Sequence, residues 1–187
     1  RDASTREARA SIGEGTLERV LAAAEGLPTV LKHWNHAVSV VSNYSVPTML
    51  PAAFKSKFQK CQACVKIVVA LVNENELIEE ASSAANEIVK AIRQHNAKTS
   101  ASTVADHGKV EFEQDMREKW KMLSTDFLHK SGLDETLRVA IEEAGTLLQD
   151  KAQGCFKWLK TTGFAEAIKT AVNAMAEYAS LVDSVRD

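Results

Sequence analysis

The chain has little of what punctuates or cross-links a small protein. Three prolines and eight glycines are spread over 187 residues. Both types interrupt helices, and their scarcity beside frequent alanine favours helix over sheet. There are only three cysteines. A chain of this length buries roughly two-thirds of its unfolded surface, so neither a disulfide nor a metal is needed to hold it together. Whether Cys155 pairs with Cys61 or Cys64 is left open by the spacing.

A dominant charge is lacking too. The formal net charge is −2 and the signs are interspersed. That removes the electrostatic footprint of a nucleic-acid binder and the basic block that holds a protein to an anionic membrane. Long hydrophobic runs are missing. The longest, Val65 to Val72, is broken by Lys66 and falls far short of the roughly 20 residues that cross a bilayer. The usual catalytic signatures are absent: no H-E-x-x-H, no glycine-rich phosphate loop, no EF-hand loop, no G-x-S-x-G, and no Glu-x-x-His of di-iron bundles. No cofactor is expected. The start, Arg1-Asp2-Ala3-Ser4-Thr5-Arg6, has no methionine and no apolar core. It suggests a processed chain, secreted or imported into an organelle, or an excised fragment. Residues 1–15 are expected to fray.

What remains is an ordinary globular composition, 45% hydrophobic and 26% charged, which argues against wholesale disorder. Its apolar residues recur with the helical period. Leu137, Ile141, Ala144, Leu148, Ala152, Cys155 and Leu159 form one stripe. Phe164, Ile168, Ala171, Val172, Met175, Ala179 and Val182 form a second. Thr161-Thr162-Gly163 lies between them, with Gly163 suited to a left-handed helix end. This hairpin, Leu133 to Val185, is the unit around which the chain is expected to fold.

Upstream, Thr16 can cap a helix carrying Leu17, Val20, Leu21 and Ala24 that stops at Gly26. Pro28 then opens a second, with Val30, Leu31, Trp34, Ala37, Val38 and Val41 on one face. After a loop bracketed by Pro47 and Pro51, a third carries Phe54, Phe58, Cys61, Val65, Val68 and Val72. Its β-branched run would also suit a buried strand, but the helical spacing continues upstream of it. A fourth holds Leu77, Ile78, Ala81, Ala85, Ile88 and Ile92 and closes near His95. Asn96 to Gly108 reads as a loop. Beyond it, Phe112, Met116, Trp120, Leu123 and Phe127 mark one face of a helix. The fold class is therefore all-α: one bundle of about six or seven mostly antiparallel amphipathic helices with short loops. It is a single domain over 1–187, with 16–95 and 109–187 joined by 96–108 as a conceivable subdivision.

Each candidate site has a plain alternative. Cys61-Gln62-Ala63-Cys64 is a C-x-x-C, but it lies inside a helix rather than at the N-terminus, where the dipole lowers a thiol pKa. A small buried hydrophobe is the ordinary role of such a cysteine. His33 and His36, with Cys61 and Cys64 across the Pro47 to Pro51 loop, are the residue types of a tetrahedral zinc site. The helical wheel turns His36 away from the apolar face, which argues against it. Glu79-Glu80, Glu111/Glu113/Asp115 and Glu142-Glu143 read as solvated helix faces.

Two stretches have surplus apolar residues: Tyr44 to Phe58, and Phe156 to Lys160. Tyr44, Met49, Phe156 and Trp158 either close one end of the bundle or stand exposed as anchors for a partner. The expectation is a non-catalytic bundle acting through protein–protein interaction, as an accessory subunit of a larger assembly or an effector-type binding protein. A lipid- or membrane-surface-binding bundle is the first alternative, with contact at the periphery of the membrane. A metal-dependent enzyme using His33, His36, Cys61 and Cys64 is the second.

Overall fold

A computed structural model describes residues 15–45, 50–101, 108–132 and 155–185, together with Val139, Glu142 and Thr146. Among the described residues there are helices and no strands. In chain order they are α1 (Gly15–Asn43), α2 (Ala52–Glu74), α3 (Leu77–Ala101), α4 (Lys109–Ser131), α5 (Cys155–Thr162) and α6 (Phe164–Asp183). Five of these are long, from 20 to 29 residues, and α5 has eight. The five long helices among the described residues do not match the expected count of about six or seven.

One cause is α1, which is continuous where two helices were expected. Pro28 lies inside it. An internal proline removes a backbone hydrogen bond and crowds the carbonyl four residues back, at about 3 kcal/mol, and Gly26 adds its own entropic cost. Packing outweighs both. Ala23, Ala24, Leu27, Val30 and Leu31 are buried on either side of the interruption, and such burial, not propensity, holds most protein helices. Gly26 also lets α6 come close, since a Cβ there would stand 3.4 Å from Leu181 Cδ2.

Among the described residues the organising element is α1; most of the first arm of the expected C-terminal hairpin lies outside them. It packs against α2, α3, α4 and α6. The ring pair Tyr44–Phe164 and the Gly26–Leu181 approach fix α6 antiparallel to it. Trp34 meets Phe127 of α4 edge-on at 6.3 Å, and Lys130, one turn later, pairs with Glu80 near the start of α3. Arg93, later in α3, pairs with Glu25, earlier in α1. So α3 also runs against α1. It runs against α4 as well, since His95 stacks on Phe112 at 4.1 Å at their other end. One core spans the chain from Leu17 to Val185, with side chains from both sides of residues 96–108.

The apolar stripes of α1, α2 and α3 are buried as their spacing predicts, the Val65 to Val72 run included, as helix. α3 continues to Ala101, past the expected end near His95. The stacked His95 and the Thr99 hydroxyl, bonded to the carbonyls of His95 and Asn96, hold that last stretch. In α6 the buried face is Phe164, Ile168, Ala171, Ala174 and Tyr178. Val172 and Ala179, expected inside, are exposed. Leu137, Ile141, Ala144, Leu148 and Ala152 lie outside the described residues.

Candidate functional site

The four residues of the zinc alternative are not gathered. His33 and His36 are exposed on α1, Cys61 is buried in the core face of α2, and Cys64 is half-buried beside it. Among the described residues no three His, Cys, Asp or Glu side chains come together as a metal site. Imidazoles in solvent and a thiol in the core cannot share one ion. None of the three cysteines is in a disulfide, so Cys155 is bonded to neither Cys61 nor Cys64.

The aromatic candidates converge on one end of the bundle. Tyr44 and Trp158 are half-buried and pack against the core. Trp158 meets Phe54, Phe58 and Phe164 with ring centroids 5.9, 5.2 and 5.8 Å away, separations typical of favourable aromatic pairs. The Tyr44 hydroxyl donates to the Thr162 carbonyl at 2.6 Å. Gln62, buried on α2, donates to the Val41 carbonyl at 3.2 Å and to that of Tyr44. These acceptors belong to helix ends, where backbone carbonyls lack intrahelical partners. Tyr44 and Trp158 pack together at this end, each with part of its surface still in solvent. Met49 and the side chain of Phe156 lie outside the described residues.

A different feature emerges between α3 and α4. Leu77, Glu80, Ala81, Ala84, Glu87, Ile88 and Ala91 line one wall of a groove. Met116, Lys119, Met122, Leu123, Asp126, Phe127 and Lys130 line the other. The groove has a volume of about 480 Å³. On each helix the lining residues recur at steps of three and one, which keeps them on one face for about four turns, or ~21 Å. The groove exists because of side-chain size. α3 presents alanine at 81, 84 and 91, where a larger residue would fill the space, while α4 presents methionine, leucine and phenylalanine.

The floor is apolar and the rim is charged. Ala81, Ile88, Met116 and Phe127 are buried at the base. Met122, on the outer edge, is 66% exposed. Lys130 is bonded to Glu80 at 3.2 Å, and Lys119 pairs with Asp115, one turn back, at 3.4 Å. Among the described residues the lining contains no histidine, cysteine, serine or threonine. What these side chains offer is apolar contact, two adaptable thioethers and a charged margin.

The spacing of Ala81, Ile88, Met116, Leu123 and Phe127 predicts core stripes, and it does not reveal the groove they share. The available signal was weak: α4 carries Met122 next to Leu123, off its core face, and α3 is rich in alanine. Among the described residues no helix is long and apolar enough to cross a membrane. No protein-family model, curated protein or solved structure matches the chain.

Proposed function

We propose that this protein is a non-catalytic helical bundle that works by binding another protein, as an accessory subunit or an effector-type binding protein, and that the α3–α4 groove is its docking surface. The observation that carries this reading is the groove's shape and lining. Two facing helices line an apolar trough for about four turns, with small alanine side chains along one wall. Helix-in-groove recognition uses anchors at that periodicity. Methionine-lined surfaces repack easily around a partner's side chains, and Met122 stands at the edge with most of its surface in solvent. The aromatic end gives less support for a docking surface, because Tyr44 and Trp158 pack against the core there.

Site-specific photocross-linking in the source cell tests the reading. A photoreactive residue at Met122 is compared with one at Lys66, an exposed position on α2. The expected result is a discrete adduct with one protein from position 122, missing from position 66. It should disappear when Ala84→Phe fills the trough in a variant whose melting curve is unchanged. Identical adducts from both positions, or an adduct indifferent to Ala84→Phe, would remove the groove from the function.

A further inference from the structure

We infer that the groove's occupant is a partner helix whose apolar stripe is flanked by lysine or arginine, an inference that rests on reading the groove as a protein-docking surface. Five charged residues line the groove: Glu80, Glu87, Lys119, Asp126 and Lys130. Two of the five are already matched to each other, Lys130 with Glu80. A third, Lys119, is matched by Asp115 on its own helix. Among the described residues, the side chains of the remaining two, Glu87 on α3 and Asp126 on α4, make no ion pair or hydrogen bond. Both are exposed, both are carboxylates, and they sit on opposite walls. Lys90, the nearest cation in sequence to Glu87, lies about 60° further round α3 at 100° per residue, outside the lining. The trough thus has an apolar floor and one unmatched negative charge on each lip.

A helix laid along it presents its apolar stripe to Ile88, Met116, Leu123 and Phe127. Its flanking side chains then lie over the two lips. Lysine or arginine there bonds Glu87 on one side and Asp126 on the other, with the long aliphatic stems covering Met122 and Ala84. Glutamate at the same positions meets like charge on both lips. Complementary rims of this kind set partner choice and association rate more than total affinity. The small residues of α3 add a steric preference for a helix over a flatter occupant, since they let its backbone approach.

The test is a titration of the full chain followed by methionine-methyl NMR. The chain has four methionines: Met116 and Met122 report on the groove and Met175, outside it, is the internal control. Two synthetic amphipathic peptides of about 15 residues, enough for four turns, share one leucine stripe; one is flanked by lysine and the other by glutamate. The expected result is that the lysine peptide moves Met116 and Met122 but not Met175. It should bind about fivefold or more tightly than the glutamate peptide at low salt, as a few exposed ion pairs allow, with the advantage fading at high salt. The double variant Glu87→Lys/Asp126→Lys should reverse the preference. Equal binding of both peptides at Met116 and Met122 would overturn the charge inference and leave the docking groove standing. If neither peptide moves those methyls, both readings fall. Two further arms use anionic phospholipid vesicles and dilution of the protein alone. Shifts at Met122 with vesicles but not peptide would make the occupant a lipid. Shifts that follow protein concentration would make it a second copy of this chain. Either result overturns the inference.

Discussion

Tyr178 reaches from α6 across the core to donate a 2.7 Å hydrogen bond to the backbone carbonyl of Ser124 on α4. The ring is buried and the hydroxyl ends on an acceptor that is itself inside the bundle. With the Phe127–Tyr178 ring contact, this bond ties the last helix to α4. Burial makes Tyr178 titrate abnormally: it disfavours the phenolate and pushes the hydroxyl above its ordinary 10.0.

The pH consequence follows from that direction. The folded pKa lies above the unfolded one, so the neutral form's contribution is fully present below pH 10 and is lost as pH rises towards the folded value. Above pH 10 the protein should lose up to about 1.4 kcal/mol per pH unit from this group. Tyr178→Phe should cost ~0.5–1.5 kcal/mol at neutral pH, as one hydrogen bond does, and should then lose less stability than the parent between pH 10 and 11. Denaturant midpoints measured at both pH values decide it. Parallel losses in the two proteins would mean that Tyr178 is not the group responsible.

Gly163 is constrained twice. Its φ of +76° is left-handed, and a Cβ there would sit 3.3 Å from the Tyr44 hydroxyl, the same group that bonds the Thr162 carbonyl. Gly163→Ala should destabilise by ~1–2 kcal/mol from the backbone alone, with more from the displaced hydroxyl. Combining it with Tyr44→Phe should be less than additive, because the two changes damage one contact. Strict additivity in thermal melts would separate them.

Pro28 gives a change of the opposite sign. Pro28→Ala restores a donor to the Ala24 carbonyl and relieves the crowding, against a smaller gain of freedom in the unfolded chain. The net expectation is stabilisation by ~1–3 kcal/mol and a higher Tm. A lower Tm would show that α1 depends on the proline's shape.

Phe127 and Met122 separate packing from surface within one groove wall. Phe127 is buried against Trp34 and Tyr178, so Phe127→Ala should cost ~3–5 kcal/mol. Met122→Ala should change stability by no more than about 0.5 kcal/mol, while weakening the proposed partner by ~2 kcal/mol if Met122 is an anchor. Calorimetry of the two variants settles the first half. A core-sized loss for Met122 would make the outer edge part of the fold.

The sequence by itself determined the helical class and most of the inward faces. Phe54, Phe58, Cys61, Val65, Val68 and Val72 follow the period of 3.6, and the same residues are buried in α2. A local pattern suffices there because a helix sorts its side chains by sequence spacing alone. Even the continuity of α1 was present in that pattern. Ala24 and Leu31 are seven residues apart and Leu17 to Val41 keep one phase, so nothing in the stripe breaks at Gly26 or Pro28. Gly26 and Pro28 punctuate the helix without shifting that phase.

Tertiary structure alone decided which of the described helices is central, which aromatics pack together and where two helices leave a groove. Trp158 sits to one side of its stripe, and it is the arrival of Phe54, Phe58 and Phe164 from two other helices that covers it. Tyr178 was left off its stripe, and the Ser124 carbonyl that accepts its hydroxyl is 54 residues away. The groove depends on two helices at once, alanines on α3 facing larger residues on α4. Spacing along one helix fixes where its own side chains point. The space between two helices depends on how their side-chain volumes meet, which is a property of the packed pair.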